Sequence, residues 1–145
     1  MITVTRTTTA TPEQVWDVLN DGWLYVGWVV GTSTIREVDK SWPQPESKLY
    51  HSVGVWPLTL NDSTSVVSVD PGRCLELQAR GNPGGEARVV VTTEPRDGGT
   101  LVTMAEDAIR GPGRLVPYPL RWASIWPRNT ESLRRLCALA EGRAR

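Results

Sequence analysis

In RWASIWPRNTESLRRLCALA, residues 121–140, the apolar side chains Trp122, Ile125, Trp126, Leu133, Leu136, Cys137 and Ala140 recur at helical spacing. Such a stripe predicts a long amphipathic helix that buries one face against a larger layer. Pro127 lies inside the pattern and is expected to kink the helix or mark where it properly begins. Asn129 interrupts the apolar face between Trp126 and Leu133.

The layer that this helix covers is read from the segments before it. Beyond a Gly/Pro-rich connection from Arg110 to Pro119, Ala87 to Thr93 and Thr100 to Glu106 read as two strands joined at Arg96-Asp97-Gly98-Gly99, an antiparallel hairpin. Arg73 to Arg80 alternates, with Leu75, Leu77 and Ala79 on one side and Glu76, Gln78 and Arg80 on the other. Asp70-Pro71-Gly72 is a turn signal. Before it, Lys48 to Val53 and Leu58 to Val69 read as strands joined around Gly54-Val55-Trp56-Pro57, and Thr32 to Val38 as another. The β-branched segment Ile2 to Thr9 is the first strand.

Two helical signals follow that first strand. Thr11-Pro12-Glu13-Gln14 supplies a cap, Pro at the first helical position and Gln three residues after the cap, so a helix runs to about Leu19. Trp23 to Val30 is apolar nearly all round and short, which predicts a second brief helix ended by Gly31. The class is therefore α+β. A curved antiparallel sheet of about seven strands, with two short helices after the first, grips a long C-terminal helix around an internal cavity. No repeat or linker divides residues 1–145, so one domain is expected.

This order, with the Thr11-Pro12-Glu13-Gln14-Val15-Trp16 opening, the Val69-Asp70-Pro71-Gly72-Arg73 turn and the Gly98-Gly99-Thr100-Leu101-Val102-Thr103-Met104 hairpin, resembles the START-like helix-grip superfamily (SRPBCC) over essentially the whole chain. Within it the likeness is to bacterial polyketide cyclase/dehydrase-like proteins. The resemblance implies a deep apolar cavity for a hydrophobic, aromatic, polyketide-like or lipid-like molecule. These motifs mark the fold rather than a chemistry, because superfolds host many functions.

Composition narrows the partners. Sixteen basic and sixteen acidic side chains cancel at pH 7, whereas phosphate neutralisation would call for a basic excess, so no nucleic-acid partner is expected. The same balance weakens attraction to anionic membranes, and the longest apolar run, Trp23 to Gly31, is too short to span one. Two isolated cysteines, Cys74 and Cys137, predict neither a zinc site nor another metal, and no cofactor is expected. The N-terminus lacks the regions of a secretory signal, which makes a cytoplasmic location with reduced thiols the expectation. Besides the small molecule, the partner allowed for is a second copy of the chain in a homodimer.

Chemistry-bearing candidates are few. His51, the sole histidine, shares a strand face with Leu49 and Val53 and is a candidate acid, base or donor; the plainer reading is a hydrogen-bonded interior or edge histidine. Glu106 shares the face of Val102 and Met104 if its strand is uninterrupted, making it a candidate acid or base beside His51, and otherwise it is a solvated strand end. Asn129 either bonds a ligand, or is a polar residue at the helix's exposed start or one satisfied by backbone near the Pro127 break. Seven Trp and no Phe make the aromatic bulk indole, which needs a polar neighbour when buried. Trp28, Trp56, Trp122 and Trp126 are expected around the cavity, with His51, Met104, Glu106 and Asn129 completing the ligand-binding set. No nucleophile elbow or phosphate-cradling loop is present. Three functions follow: ligand binding first, then a cyclase, aromatase or dehydratase using His51 and Glu106, and third a protein-interaction module using exposed tryptophans.

Overall fold

A computed structural model describes residues 1–54, 60–81 and 85–143. Strands β1 (Ile2–Thr8), β2 (Thr32–Val38), β3 (Lys48–Val53), β4 (Leu60–Asp70), β5 (Cys74–Gly81), β6 (Gly85–Arg96) and β7 (Gly99–Arg110) form one sheet in the order β1-β7-β6-β5-β4-β3-β2. Every neighbouring pair is antiparallel. The expected strand start at Leu58 and the join through Trp56 lie outside the described residues.

Helix α1 (Pro12–Leu19) starts as its sequence dictates. The Gln14 amide donates to Thr11 Oγ1 at 3.2 Å, and the Thr11 amide donates to Gln14 Oε1 at 2.7 Å, closing the capping box. The second helical segment is shorter than its apolar run suggested: a 3₁₀ turn at Gly22–Leu24 leads into the single-turn helix α2 (Tyr25–Trp28). Val29 is already extended, and Gly31, at φ +97°, takes a left-handed conformation that favours glycine. The intervening Val30 amide donates to Ser132 Oγ at 3.1 Å, tying this loop to the C-terminal helix.

That helix, α3 (Tyr118–Gly142), runs through Pro127, so the proline does not mark its beginning. It is preceded by a 3₁₀ turn at Pro112–Leu115 within the Gly/Pro-rich connection. Ile125, Leu133, Leu136, Cys137 and Ala140 are buried, and α3 packs on β1, β7, α1 and α2. Two members of the expected stripe are not buried. Trp122 and Trp126, 44% and 39% exposed, stack on each other with ring centroids 5.4 Å apart, covering each other's faces instead of the sheet. At the far end of α3, Thr8 Oγ1 donates to Glu141 Oε2 at 2.6 Å, fastening the helix to β1.

β6 and β7 are longer than their sequence signals, and this decides where Glu106 points. Along β7 burial alternates strictly through Thr100, Val102, Met104 and Glu106, and the strand continues to Arg110. Glu106 is thus an inward residue within a strand, not a solvated strand end, because pairing with both β1 and β6 holds the pleat in register. The turn into β7 admits no side chain at Gly99, where a Cβ would lie 1.8 Å from the Thr8 carbonyl oxygen.

Rows of inward side chains cross the sheet in register. Val4, Met104, Val91 and Leu75 make one row, and Ile2, Glu106, Val89 and Leu77 the next; then Ala108, Ala87 and Ala79 follow, with Thr64 beside Ala79. Side-chain volume therefore shrinks toward one end of the strands. Two indoles find polar partners as expected: buried Trp16 Nε1 donates to Thr93 Oγ1 at 2.9 Å and half-buried Trp42 Nε1 to the Leu19 carbonyl at 3.2 Å.

The energetics rank two substitutions. Leu136→Ala, at a fully buried position of α3, is expected to cost about 2–5 kcal/mol. Thr11→Ala, which removes only the α1 cap, should cost about 1 kcal/mol. Urea unfolding of both variants checks the order.

Candidate functional site

Where the inward residues become small, a cavity of about 290 Å³ lies between the sheet, α2 and α3. Ala79, Ala87 and Ala108 line its floor, and Asn129 and Ser132 face it from α3. Of the residues singled out in the sequence, Trp28, His51, Met104, Glu106 and Asn129 line this cavity. Trp122 and Trp126 do not; they lie exposed and stacked on α3. Trp56 falls outside the described residues.

Asp62, Arg80, Glu86 and Arg110 are also among the lining residues, and two hydrogen-bonded groups stand on the wall. In the first, β4 and β3 bring Thr64 and His51 together, and α2 adds Tyr25. Thr64 Oγ1 lies 3.0 Å from His51 Nε2 and 3.3 Å from the Tyr25 hydroxyl. All three are buried, and the Tyr25 ring packs 5.4 Å from both the His51 ring and the Trp28 ring. His51 Nδ1, in a residue only 4% exposed, has no hydrogen-bond partner among the described residues.

Burial governs the acid–base character of this group. It pulls the His51 imidazole down to about 4, with the Arg36 charge acting the same way. Burial also pushes the Tyr25 phenol up to about 12; the Thr64 hydrogen bond opposes the shift and the Glu106 charge adds to it. Near pH 7 the set is accordingly a chain of neutral donors and acceptors.

The second group is centred on Glu106. Asn129 Nδ2 donates to Glu106 Oε1 at 3.0 Å, and Arg128 donates to Oε2 in an ion pair. The Asn129 amide thus finds its partner in a carboxylate from β7 rather than in the local backbone. The carboxylate has both oxygens engaged, which is how a charged group is accommodated in a half-dry wall.

Thr64 and Arg128 were not among the residues selected from the sequence. Thr64 had a legible signal, since it lies two residues before the inward-facing Val66 on β4. Arg128 carried no signal, because its side chain is 42% exposed and only its tip reaches the cavity wall. Cys137 is buried and pushed up to about 11 by burial, which makes it an inert thiol; Cys74 is also free. Among the described residues no group of three or more His, Cys, Asp or Glu side chains is placed to hold a metal ion. None of the described helices is long and apolar enough to cross a membrane.

Comparison with known proteins places these features in context. The family model for polyketide cyclase/dehydrase and lipid transport matches residues 1–141. The fold is similar to that of an aromatase/cyclase, Zhui, from Streptomyces sp. R1128, with a TM-score of 0.76 at 19% identity over 99% of this chain and 94% of that one. A Chromobacterium violaceum protein is similar with a TM-score of 0.75 at 18% identity, covering 97% of this chain and 96% of that one. Ara h 8.0201 gives 0.74 at 10% identity, with the same coverage of 97% and 96%. No curated protein matches the sequence.

The buried imidazole makes stability depend on pH in a defined direction. Between about 4 in the fold and 6.5 when unfolded, the unfolded chain binds more protons, so stability is full above the upper value and declines as pH falls through the window. By about pH 4.5 the His51 share of the loss should reach about 2–3 kcal/mol. Urea unfolding at pH 7 and about pH 4.5 should show that decline in the native protein, reduced by this amount in His51→Gln.

Proposed function

This chain belongs to the polyketide cyclase/dehydrase and lipid-transport family, and we propose that it binds a hydrophobic small molecule, aromatic, polyketide-like or lipid-like, in the cavity between sheet and α3. The observation that carries this reading is the cavity itself, floored by three alanines in register and flanked by Trp28, Tyr25 and α3. Its volume of about 290 Å³ lies at the lower edge of the range of roughly 300–1,000 Å³ usual for small-molecule sites. A compact ligand with few rings or a short chain fits that space. Trp28, His51, Met104, Glu106 and Asn129 are the proposed contact residues, with Tyr25 and Thr64 added. Residues 1–145 work in this reading as one cytoplasmic binding unit without a cofactor, and nucleic acid is not a partner.

A cyclase, aromatase or dehydratase is the second reading, supported by the family and by the aromatase/cyclase whose fold this chain resembles. In it, His51 and Glu106 would move protons. The electrostatics speak against efficient proton transfer near neutral pH, since a general acid or base works best with a pKa near the working pH. His51 is held down to about 4 and Tyr25 up to about 12, while both Glu106 oxygens are engaged by Arg128 and Asn129. Binding is the better-supported conclusion.

Titration with a panel of naphthols, flavonoid-like compounds and short fatty acids, followed by tryptophan emission and calorimetry, tests it. At least one class should bind and change the emission, and Trp28→Phe should remove most of that change. Loss of the indole contact should weaken binding by about 1 kcal/mol, near fivefold to tenfold. Ala87→Leu, which grows a side chain into the cavity floor, should abolish binding while the variant remains folded. Silence across the panel by both methods would refute the binding reading.

A further inference from the structure

Of the ten large hydrophobic residues exposed among the described residues, six fall within residues 115–126: Leu115, Val116, Tyr118, Leu120, Trp122 and Trp126. Every residue from 111 to 120 is exposed. Single exposed apolar side chains are ordinary, but a cluster of them marks a surface that meets something other than water. Leu120 lies on the far side of the helix, and the other five are contiguous. Tyr118, Trp122 and Trp126 stand four positions apart on α3 and share one face, with the two indoles stacked. Arg121 ties the preceding turn to that face: its Nη1 donates to the Arg114 carbonyl at 3.2 Å and the Val116 carbonyl at 3.0 Å, and its guanidinium lies 5.7 Å from the Tyr118 ring centroid.

Charge separates the possible occupants. Between Ala108 and Thr130 the chain carries four arginines, Arg110, Arg114, Arg121 and Arg128, and no acidic residue, a local bias hidden by the balance over the whole chain. Three of them have carboxylate partners on β6 and β7: Arg110 lies 3.7 Å from Glu86, Arg121 lies 3.1 Å from Asp107, and Arg128 pairs with Glu106. Arg114 donates to the Ile109 carbonyl at 3.3 Å and has no ion pair among the described residues. A positive charge without a counter-charge thus stands beside the aromatic face. An isologous dimer through this face would bring the same positive side chains together. A surface of lipid phosphates complements it, since indole and phenol rings favour the headgroup zone and a guanidinium pairs with phosphate.

We propose that Tyr118, Trp122 and Trp126, with Leu115, Val116 and Arg114 of the preceding turn, form a docking surface for anionic phospholipid bilayers. The rings lie among the headgroups, and Arg114 meets lipid phosphate. Contact through one face of a short segment is reversible and requires no membrane-spanning helix. Gly113 and Arg128 also line the cavity, so the docked face lies beside its rim. Docking is independent of the cavity-binding reading, and its failure would leave that reading untouched.

Cosedimentation with vesicles tests the proposal, comparing an equal mixture of phosphatidylcholine and phosphatidylglycerol with phosphatidylcholine alone. The chain should bind the mixed vesicles about fivefold more strongly, and added salt should reduce the difference. Trp122→Gln combined with Trp126→Gln changes two exposed side chains and should lower binding to the mixed vesicles about tenfold or more while circular dichroism stays unchanged. Arg114→Gln, at an exposed position in a turn, should lower it about fivefold and leave binding to phosphatidylcholine alone unchanged. No binding to the mixed vesicles, or equal binding by the native chain and the tryptophan variant, overturns the proposal. Equal binding to both vesicle types, or no effect of Arg114→Gln, overturns the preference for anionic lipid. Light scattering after size exclusion should show a monomer; a dimer that the tryptophan substitutions dissociate assigns the face to a second copy and overturns the proposal.

Discussion

The structure depends on an unequal grip. The C-terminal half of α3 buries Leu133, Leu136, Cys137 and Ala140 against β1 and α1, while farther up the same face the inward residues are Asn129 and Ser132. Asn129 meets the sheet through the Glu106 carboxylate, and around it the sheet presents only the small side chains of Ala79, Ala87 and Ala108. One end of the helix thus closes a packed core and the other roofs a space. Packing at native density makes such a space costly unless something fills it or its lining is fully supported. Here the support comes from polar ties that cross it: Asn129 to Glu106, Ser132 to the Val30 amide, and Thr64 to Tyr25 and His51.

Those ties set the chemistry of the wall. Each buried polar group meets another from a different element, so the charge on Glu106 is balanced by Arg128 and the neutral set around Thr64 is kept neutral by burial. The result is a largely apolar space whose wall carries oriented donors and acceptors beside charged side chains. The seat of α2 matters for the same reason. A helix of one turn has little stability of its own, and Tyr25 and Trp28 are held by the core beneath them and by the Ser132 tie to the loop that follows.

Much of the architecture is local in origin and was legible in the residues. The capping box at Thr11 and Gln14, the turn at Asp70-Pro71-Gly72 and the alternation of Arg73 to Arg80 each involve neighbours a few positions apart, and each recurs in the structure. The inward face of His51 followed from alternation with Leu49 and Val53 in the same way. Trp122 and Trp126 show where periodicity misleads: they obey the helical spacing, but in the folded chain they stay exposed and the two indoles shelter each other.

The amino-acid sequence by itself determined the elements, their order and the helix-grip class, because capping, turn geometry and apolar periodicity act over a few residues. It also determined that no histidine pair exists for a relay. Tertiary structure alone decided that β7 runs on past Glu106, that Asn129 spends its amide on that carboxylate, and that Tyr25, Thr64 and His51 meet. Those partners are 23, 39 and 13 positions apart in the chain. Contacts of that range exist only after strand register and the docking of α2 and α3 are set, and no local pattern encodes which distant donor will face which acceptor.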